Sequence, residues 1–529
     1  MAYSSIVYLL PFLGAVVLLY NGMPKKYRWW VLLLASYIFY WLNSPTTLIF
    51  LLLSTVAVYL AGIFLNKIQD GFDLSKKALD REGKKQLRKI VGWQKKAVCA
   101  CTLLFIFGLL AFLKYYPFVS ENINQLLKMI HLESTLPQLK LILPLGISYY
   151  TLQAAGYIID VYRGKYRADP HLGKVALFLS FFPQIVEGPI ARFDQTAGQL
   201  MEGKRSTYQN LTWGAQLILW GLFKKMVIAD RANPFVAEVF NNYTEQSGAV
   251  LIMGGILFTV QIYMEFSGCM DIVTGSAQML GIDLPKNFAR PFFATSVNDF
   301  WRRWHITLGA WLRDYVFYSV SLSKGFAKLS KKAKEKLSPF LGALIPSAAA
   351  LFCVWICNGI WHGAGWKYLA YGMYYYLIML LGMLLEPLFA RCATAMRLNR
   401  DGGAFRVVRI LRTCLLVVGG MTLFRAESLG AFGGIVSKVF TDLSPQQFYD
   451  GTLLHLGIDG WDFIAIAAGC VVVLIVSILQ EKGFCMRKKI AECNIVLRWS
   501  IYLSLILAVV IFGAYGPGYD QVAFIYGQF

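Results

Sequence analysis

TLIFLLLSTVAVYLAGIFL, residues 47–65, runs for 19 positions without a charged side chain. A helix needs about 20 such residues to cross about 30 Å of hydrocarbon, so this stretch reads as a membrane span. Working outward, the runs 251–266, 349–357 and 464–479 repeat the pattern with few charges. The whole chain of 529 residues is 57% hydrophobic and 15% charged, with mean hydropathy +0.52. Soluble domains do not carry that excess of apolar side chains, which need lipid around them. The expected fold class is all-α, a polytopic integral membrane protein.

The first apolar run, 6–20, has no basic residue before it and Lys25, Lys26 and Arg28 after it. A secretory signal peptide has the reverse arrangement, so the run is expected to be a retained span. The formal charge of +21 does not indicate nucleic acid, because the basic residues sit in short loops between apolar runs. Clusters at 25–28, 67–96, 163–167, 324–336, 391–412 and 482–498 are all expected on the cytoplasmic side. The segment 427–460, with one Lys and no Arg, is expected outside. Twelve spans satisfy this pattern: 5–20, 28–42, 46–66, 97–116, 138–160, 211–230, 247–267, 339–358, 366–385, 407–425, 461–480 and 497–515. Both termini then face outward. The mixed-charge loop 67–96 reads as a solvated amphipathic helix against anionic headgroups.

Residues 1–529 read as one membrane domain with no internal repeat. Two segments fit poorly as spans. Residues 172–190 carry Pro183, Gln184, Glu187 and Pro189, and residues 300–320 carry Arg302, Arg303, His305, Arg313 and Asp314. Broken or charged backbone at membrane depth persists only inside protein or beside a water-filled cavity, so both are expected to be re-entrant and to line an internal site. Cys99, Cys101, Cys353, Cys357, Cys414 and Cys470 fall in or beside spans and read as small hydrophobes. Cys353 and Cys357 lie one turn apart, but no further ligands complete a metal site.

The chain has five histidines, of which His131, His171 and His455 lie in loops or at span edges without a companion motif. His362 stands in Asn358-Gly-Ile-Trp361-His362-Gly363-Ala364-Gly365-Trp366, between two spans. The glycines there would let a substrate approach the imidazole, and helical spacing places Asn358 on the same face, able to fix the ring tautomer. An imidazole with pKa near 6.5 can take a proton from a hydroxyl and return it to a thiolate, as acyl transfer from a thioester requires. The alternative is an interfacial histidine capping a helix end beside belt tryptophans. Upstream lies Trp301-Arg302-Arg303-Trp304-His305, followed by Arg313-Asp314-Tyr315. Adjacent arginines suit the phosphate of a coenzyme A or phosphopantetheine donor; the alternative is a structural Arg–Asp network.

Three stretches together resemble the membrane-bound O-acyltransferase (MBOAT) superfamily, most closely its alginate O-acetylation branch, with the teichoic acid D-alanylation membrane protein a near relative. They are Phe181-Phe-Pro183-Gln-Ile-Val-Glu-Gly188-Pro189-Ile-Ala-Arg192, the Trp301 to Tyr315 segment, and Trp361-His362-Gly363-Ala364. Support comes from Pro144-Leu-Gly-Ile-Ser148, Ile159-Asp160-Val-Tyr-Arg163-Gly164 and the terminal residues 524–529. The resemblance implies a helical shell with a cavity through the membrane, a cytoplasmic acyl donor, a catalytic histidine at His362 and a second at His305. Trp301, Trp304, Arg302, Arg303, Asp314 and Asn358 are the supporting or donor-binding candidates. Departures from the branch occur at Cys269 after Phe266-Ser267-Gly268, at Ser319 to Gly325, and in the lysine-rich insertion that follows. Alginate as acceptor therefore does not follow.

The function these residues imply is O-acylation of an exported cell-envelope polysaccharide at a bacterial plasma membrane. Acetyl-CoA is the expected donor, no cofactor is expected to be tightly bound, and no metal is expected. The expected partners are the extracellular polysaccharide acceptor and an extracytoplasmic esterase-like transferase, a soluble domain that no segment of the 529 residues resembles. Two alternatives stand beside this reading: D-alanyl transfer to teichoic acid from an acyl carrier protein, and a lipid-linked sugar flippase or transporter.

Overall fold

The computed structural model describes residues 1–515 apart from Glu133 and Asp401. The terminal motif at 524–529 lies outside the described residues. The described residues fold as helices joined by turns and irregular segments, without a strand, and form two compact units, Met1–Ala215 with Val273–Pro285 and Gln216–Ile272 with the residues from Lys286 onward.

The first unit holds α1 (Leu13–Gly22), α2 (Arg28–Asn43), α3 (Leu48–Ser75), α4 (Arg81–Leu110), α5 (Tyr116–Met129), α6 (Ile147–Arg163), α7 (Leu172–Ser180) and α8 (Phe193–Glu202). Helices α3, α4 and α6 pack on one another. Asp80 caps α4 by accepting from the Gly83 amide at 2.9 Å, a bond that contributes about 1 kcal/mol. The segment expected to be re-entrant begins as α7 with Leu172 exposed and continues as turns past Pro183, buried from Val175 onward except at half-buried Val186. Its polar backbone is met by side chains: Ser36 Oγ accepts from the Phe182 amide at 3.0 Å, and the Tyr3 hydroxyl donates to the Phe182 carbonyl at 2.7 Å. Gly146, in the left-handed region at φ +68°, lies where a Cβ would collide with the Ile185 carbonyl. The family-like residues Phe181 to Arg192 thus form a core turn. His171 serves as the N-cap of α7, accepting from the Lys174 amide at 3.3 Å.

Helices α9 (Tyr208–Leu222) and α11 (Gly248–Met279) run through the boundary between the units. The second unit continues with α10 (Asp230–Asn241), α12 (Val297–Arg303), α13 (Ile306–Leu312), α14 (Tyr318–Ser321), α15 (Lys324–Lys336), α16 (Pro339–His362), α17 (Trp366–Ala395), α18 (Gly403–Arg425), α19 (Leu429–Thr441), α20 (Gly460–Glu481), α21 (Met486–Glu492) and α22 (Ile495–Phe512). Helices α16 and α17 form an antiparallel hairpin that glycines bring close together. A Cβ at Gly359 would strike the Tyr368 carbonyl, and one at Gly372 would strike the Trp355 carbonyl.

Among the described residues, eight helices are long and apolar enough to cross a membrane: Pro45–Ser75, Arg81–Met129, Gly248–Met279, Pro339–His362, Trp366–Ala395, Gly403–Arg425, Gly460–Glu481 and Ile495–Phe512. The other four expected spans are also helices, but of another kind. Three are short: Tyr8–Gly22, Arg28–Asn43 with 16 residues and Ile147–Arg163 with 17. The span expected at 211–230 is α9 followed by a π-helical stretch, Phe223–Ala229, that carries Lys224 and Lys225. Lys224 Nζ reaches Asp271 at 2.7 Å and Ser267 Oγ at 2.9 Å, and Lys225 Nζ reaches Asp230 at 2.7 Å. Buried ammonium groups persist in an apolar interior only with such partners, and this pairing is why the segment is less apolar than a plain span.

Candidate active site

The Trp301 to Tyr315 segment folds as two short helices joined at a sharp bend. Ser296 starts α12 by accepting from the Asp299 amide at 3.1 Å, and α12 ends at Trp304. Trp304 is fully buried and packs against Phe300, Phe288 and Tyr263 at centroid distances of 5.4, 5.1 and 5.9 Å. The bend falls on His305, whose φ of +46° is left-handed. A non-glycine residue there costs about 1–3 kcal/mol and persists only where its surroundings impose it.

Asn287 supplies that constraint. Its backbone carbonyl accepts from the Ile306 amide at 2.9 Å, and its side-chain Oδ1 faces the Thr307 amide at 3.1 Å, the Thr307 hydroxyl at 2.9 Å and His305 Nδ1 at 3.2 Å. A backbone amide can only donate, so the atom it faces is the oxygen, and His305 Nδ1 must carry the proton. The lone pair is then on Nε2. Asn287 belongs to none of the motifs that singled out His305 in the sequence, and its position 18 residues upstream gave no signal.

His362 is the last residue of α16 and is 3% exposed; His305 is 2% exposed. The Trp361 ring contacts both, 5.5 Å from the His305 ring and 5.1 Å from that of His362. Tyr371 and Phe424 meet His362 edge-on at 5.6 and 5.4 Å. Trp301 joins the same aromatic cluster through Tyr371, Tyr375 and Trp355 at 6.4, 4.8 and 5.0 Å. The two sequence-selected histidines are therefore brought into one buried neighbourhood of the second unit.

Two expectations about that neighbourhood change. Asn358 is buried one turn before His362, but its Oδ1 accepts no hydrogen bond and so does not fix the imidazole. Gly359 and Gly363 do not keep space open beside His362; the Tyr368 backbone and ring fill it. The neighbouring Trp301 and Trp355 have buried indole N–H groups that find no oxygen or nitrogen acceptor.

The two adjacent arginines also separate. Arg303 is held by Asp299 at 3.1 Å and by Glu481 at 3.3 Å, and Glu481 further binds Arg290 at 2.6 Å and Arg406 at 3.6 Å. Partial burial lowers the Arg303 pKa, but these carboxylates outweigh it and raise it overall. Arg302 is exposed and forms no ion pair among the described residues. Asp314 pairs with its exposed neighbour Arg313 at 3.0 Å. Among the described residues no cluster of three His, Cys, Asp or Glu could hold a metal ion.

Comparison with known proteins adds the family. Residues 166–334 match the model of the MBOAT, membrane-bound O-acyltransferase family, an interval that contains His305 and ends before His362. A probable alginate O-acetylase of Pseudomonas syringae pv. tomato is 30% identical over 445 residues, covering 83% of this chain and 75% of that protein. A peptidoglycan O-acetyltransferase of Helicobacter pylori is 32% identical over 50% of this chain and 51% of its own. A teichoic acid D-alanyltransferase of Bacillus subtilis is 28% identical over 50% of this chain and 63% of its own. With eight apolar helices able to cross a bilayer and relatives that are bacterial acyltransferases, this is a multi-pass bacterial membrane enzyme. The chain is an O-acyltransferase and belongs to the membrane-bound O-acyltransferase family.

Proposed function

We propose that the protein transfers acetyl from acetyl-CoA toward a hydroxyl of an exported cell-envelope polysaccharide, with His362 as the general base. The observation that carries this reading is the burial of His305 and His362 in one aromatic cluster, where the Trp361 ring contacts both. The hydroxyl proton moves to the His362 imidazole as the oxygen attacks the thioester carbonyl. The C–S bond breaks, and the imidazolium returns the proton to the departing thiolate. The C-terminus of α16 favours the positive charge that this step places on the ring. His305, oriented by Asn287, is proposed to position the acyl group. The indole N–H groups of Trp301 and Trp355 and the Asn358 oxygen would serve the amides of a pantetheine arm.

Arg302 is proposed as the donor-phosphate contact, since it is exposed while Arg303 is held by carboxylates. An extracytoplasmic esterase-like transferase is the proposed partner for delivery to the polymer. The donor is tested by incubating the purified protein in lipid with labelled acetyl-CoA and, separately, with a charged acyl carrier protein. Turnover of acetyl-CoA alone supports this reading; turnover of the carrier alone replaces it with D-alanyl transfer.

A further inference from the structure

We propose that α15 forms a binding site for the phosphate headgroups of anionic phospholipids in the inner leaflet. The helix carries six lysines, Lys324, Lys328, Lys331, Lys332, Lys334 and Lys336, against one carboxylate, Glu335. All six are exposed, and the single ion pair among them is a loose one, Lys331 to Glu335 at 4.0 Å. The helix is well formed: Ser323 accepts from the Phe326 amide at 3.5 Å to start it, and Ala333 is buried beneath it.

Its depth follows from how it joins the next span. Only Leu337 and Ser338 separate α15 from α16, and Ser338 caps α16 by accepting from the Leu341 amide at 3.1 Å. The chain then doubles back. Ser330 Oγ donates to the Gly342 carbonyl at 2.7 Å, and a Cβ at Gly342 would collide with the backbone of Lys334. At 1.5 Å per residue, Gly342 lies about 5 Å inside the start of α16. Helix α15 therefore lies along the first turn of a membrane span, at the level of lipid headgroups.

The side chains around it fit that place. Leu322, Leu329, Leu337 and Phe340 are exposed apolar groups beside the lysines, at 77%, 43%, 64% and 46%. Apolar side chains at the acyl boundary with lysines reaching up to phosphate are the pattern of an interfacial helix. The excess of lysine along the cytoplasmic loops assigns the inner leaflet. An acidic soluble protein would answer the charge but not the leucines and Phe340 on the same edge.

The test uses the full chain in bilayer discs of mixed phosphatidylcholine and phosphatidylglycerol, with retained lipid counted by native mass spectrometry. Each near-surface lysine contributes about fivefold to anionic-lipid partitioning before screening. Changing Lys324, Lys328, Lys331 and Lys332 together to Gln should lower phosphatidylglycerol enrichment by about tenfold or more. Changing the same four to Arg should keep it. Parental enrichment in the α15 glutamine variant or loss in the arginine variant would overturn the proposal. So would displacement of the lipid by excess inorganic phosphate, or unchanged lipid with lost capture of an acidic carrier protein.

Discussion

His305 and His362 both contact the Trp361 ring, but the chain presents them in different ways. His305 sits at a strained bend and is oriented by hydrogen bonds: Asn287 supports the left-handed backbone, and its Oδ1 accepts from Nδ1–H. His362 ends a long helix whose depth is set by Gly359 and Gly372 against α17, and its ring meets Trp361, Tyr371 and Phe424. The contrast teaches which residue suits which task. A ring whose proton is committed to a neighbour suits positioning, whereas a ring at a helix C-terminus, where positive charge is favoured, suits a proton that must come and go.

Removing each imbalance in turn should give a graded series. The largest expected effect is at His362: His362→Gln should reduce acyl transfer by about 10²- to 10⁴-fold, the usual range for loss of a general base, while the protein still inserts. Initial rates at saturating donor, with membrane levels matched by immunoblot, measure it. Next comes the hydrogen-bonded side of the contrast. Asn287→Leu removes the acceptor facing His305 and Thr307 and should cost about tenfold to a hundredfold, the scale at which outer partners of functional histidines act. Asn287→Asp, which keeps an acceptor, should recover much of the loss. If Asn287→Leu matched His362→Gln while remaining folded, His305 would be the base and the two roles would have to be exchanged.

A smaller effect is expected from the arginines. Arg302→Ala should raise the donor KM severalfold with kcat nearly unchanged, as loss of uniform binding does. Arg303→Ala should instead lower thermal stability by removing the cation between Asp299 and Glu481, with little change in KM for the protein that folds. An unchanged KM in Arg302→Ala would move donor binding elsewhere. The smallest effect is expected at Asn358, where substitution by Leu removes a buried oxygen that accepts no hydrogen bond. Its unfolding midpoint should stay level or rise, since burying an unsatisfied polar atom costs about 1–3 kcal/mol. A marked fall in the midpoint would show that the Asn358 amide is structurally bonded after all.

How much of this was legible in the sequence depends on the range of the interaction. Long apolar runs and basic loops report directly on the solvent around each segment, so the eight long helices and the all-helical class could be read without coordinates. The shorter helix Arg28–Asn43 sat at the expected position, whereas the span expected at 138–160 is the helix Ile147–Arg163, bounded by left-handed Gly146 and Gly164. Around the site, His305 and His362 were visible because imidazoles are scarce here and stand in motifs that resemble those of the family. Their neighbours were less so. Helical spacing put Asn358 on the face of His362 but could not say whether it reaches the ring, and it reads glycine as open space where Tyr368 fills it. Asn287 was invisible because nothing local marks an asparagine as the acceptor for a bend 18 residues later. The different fates of Arg302 and Arg303 likewise depend on Glu481, far along the chain.

The central claim, that His362 at the end of α16 and not His305 at the bend is the base, is tested most directly by one measurement. Labelled acetyl transfer is followed in membranes containing equal amounts of parental protein, His362→Ala and His305→Ala. His362→Ala should fall to background, while His305→Ala keeps a measurable fraction of the parental rate. Parental transfer by His362→Ala, or background transfer by His305→Ala with His362→Ala still active, would contradict it.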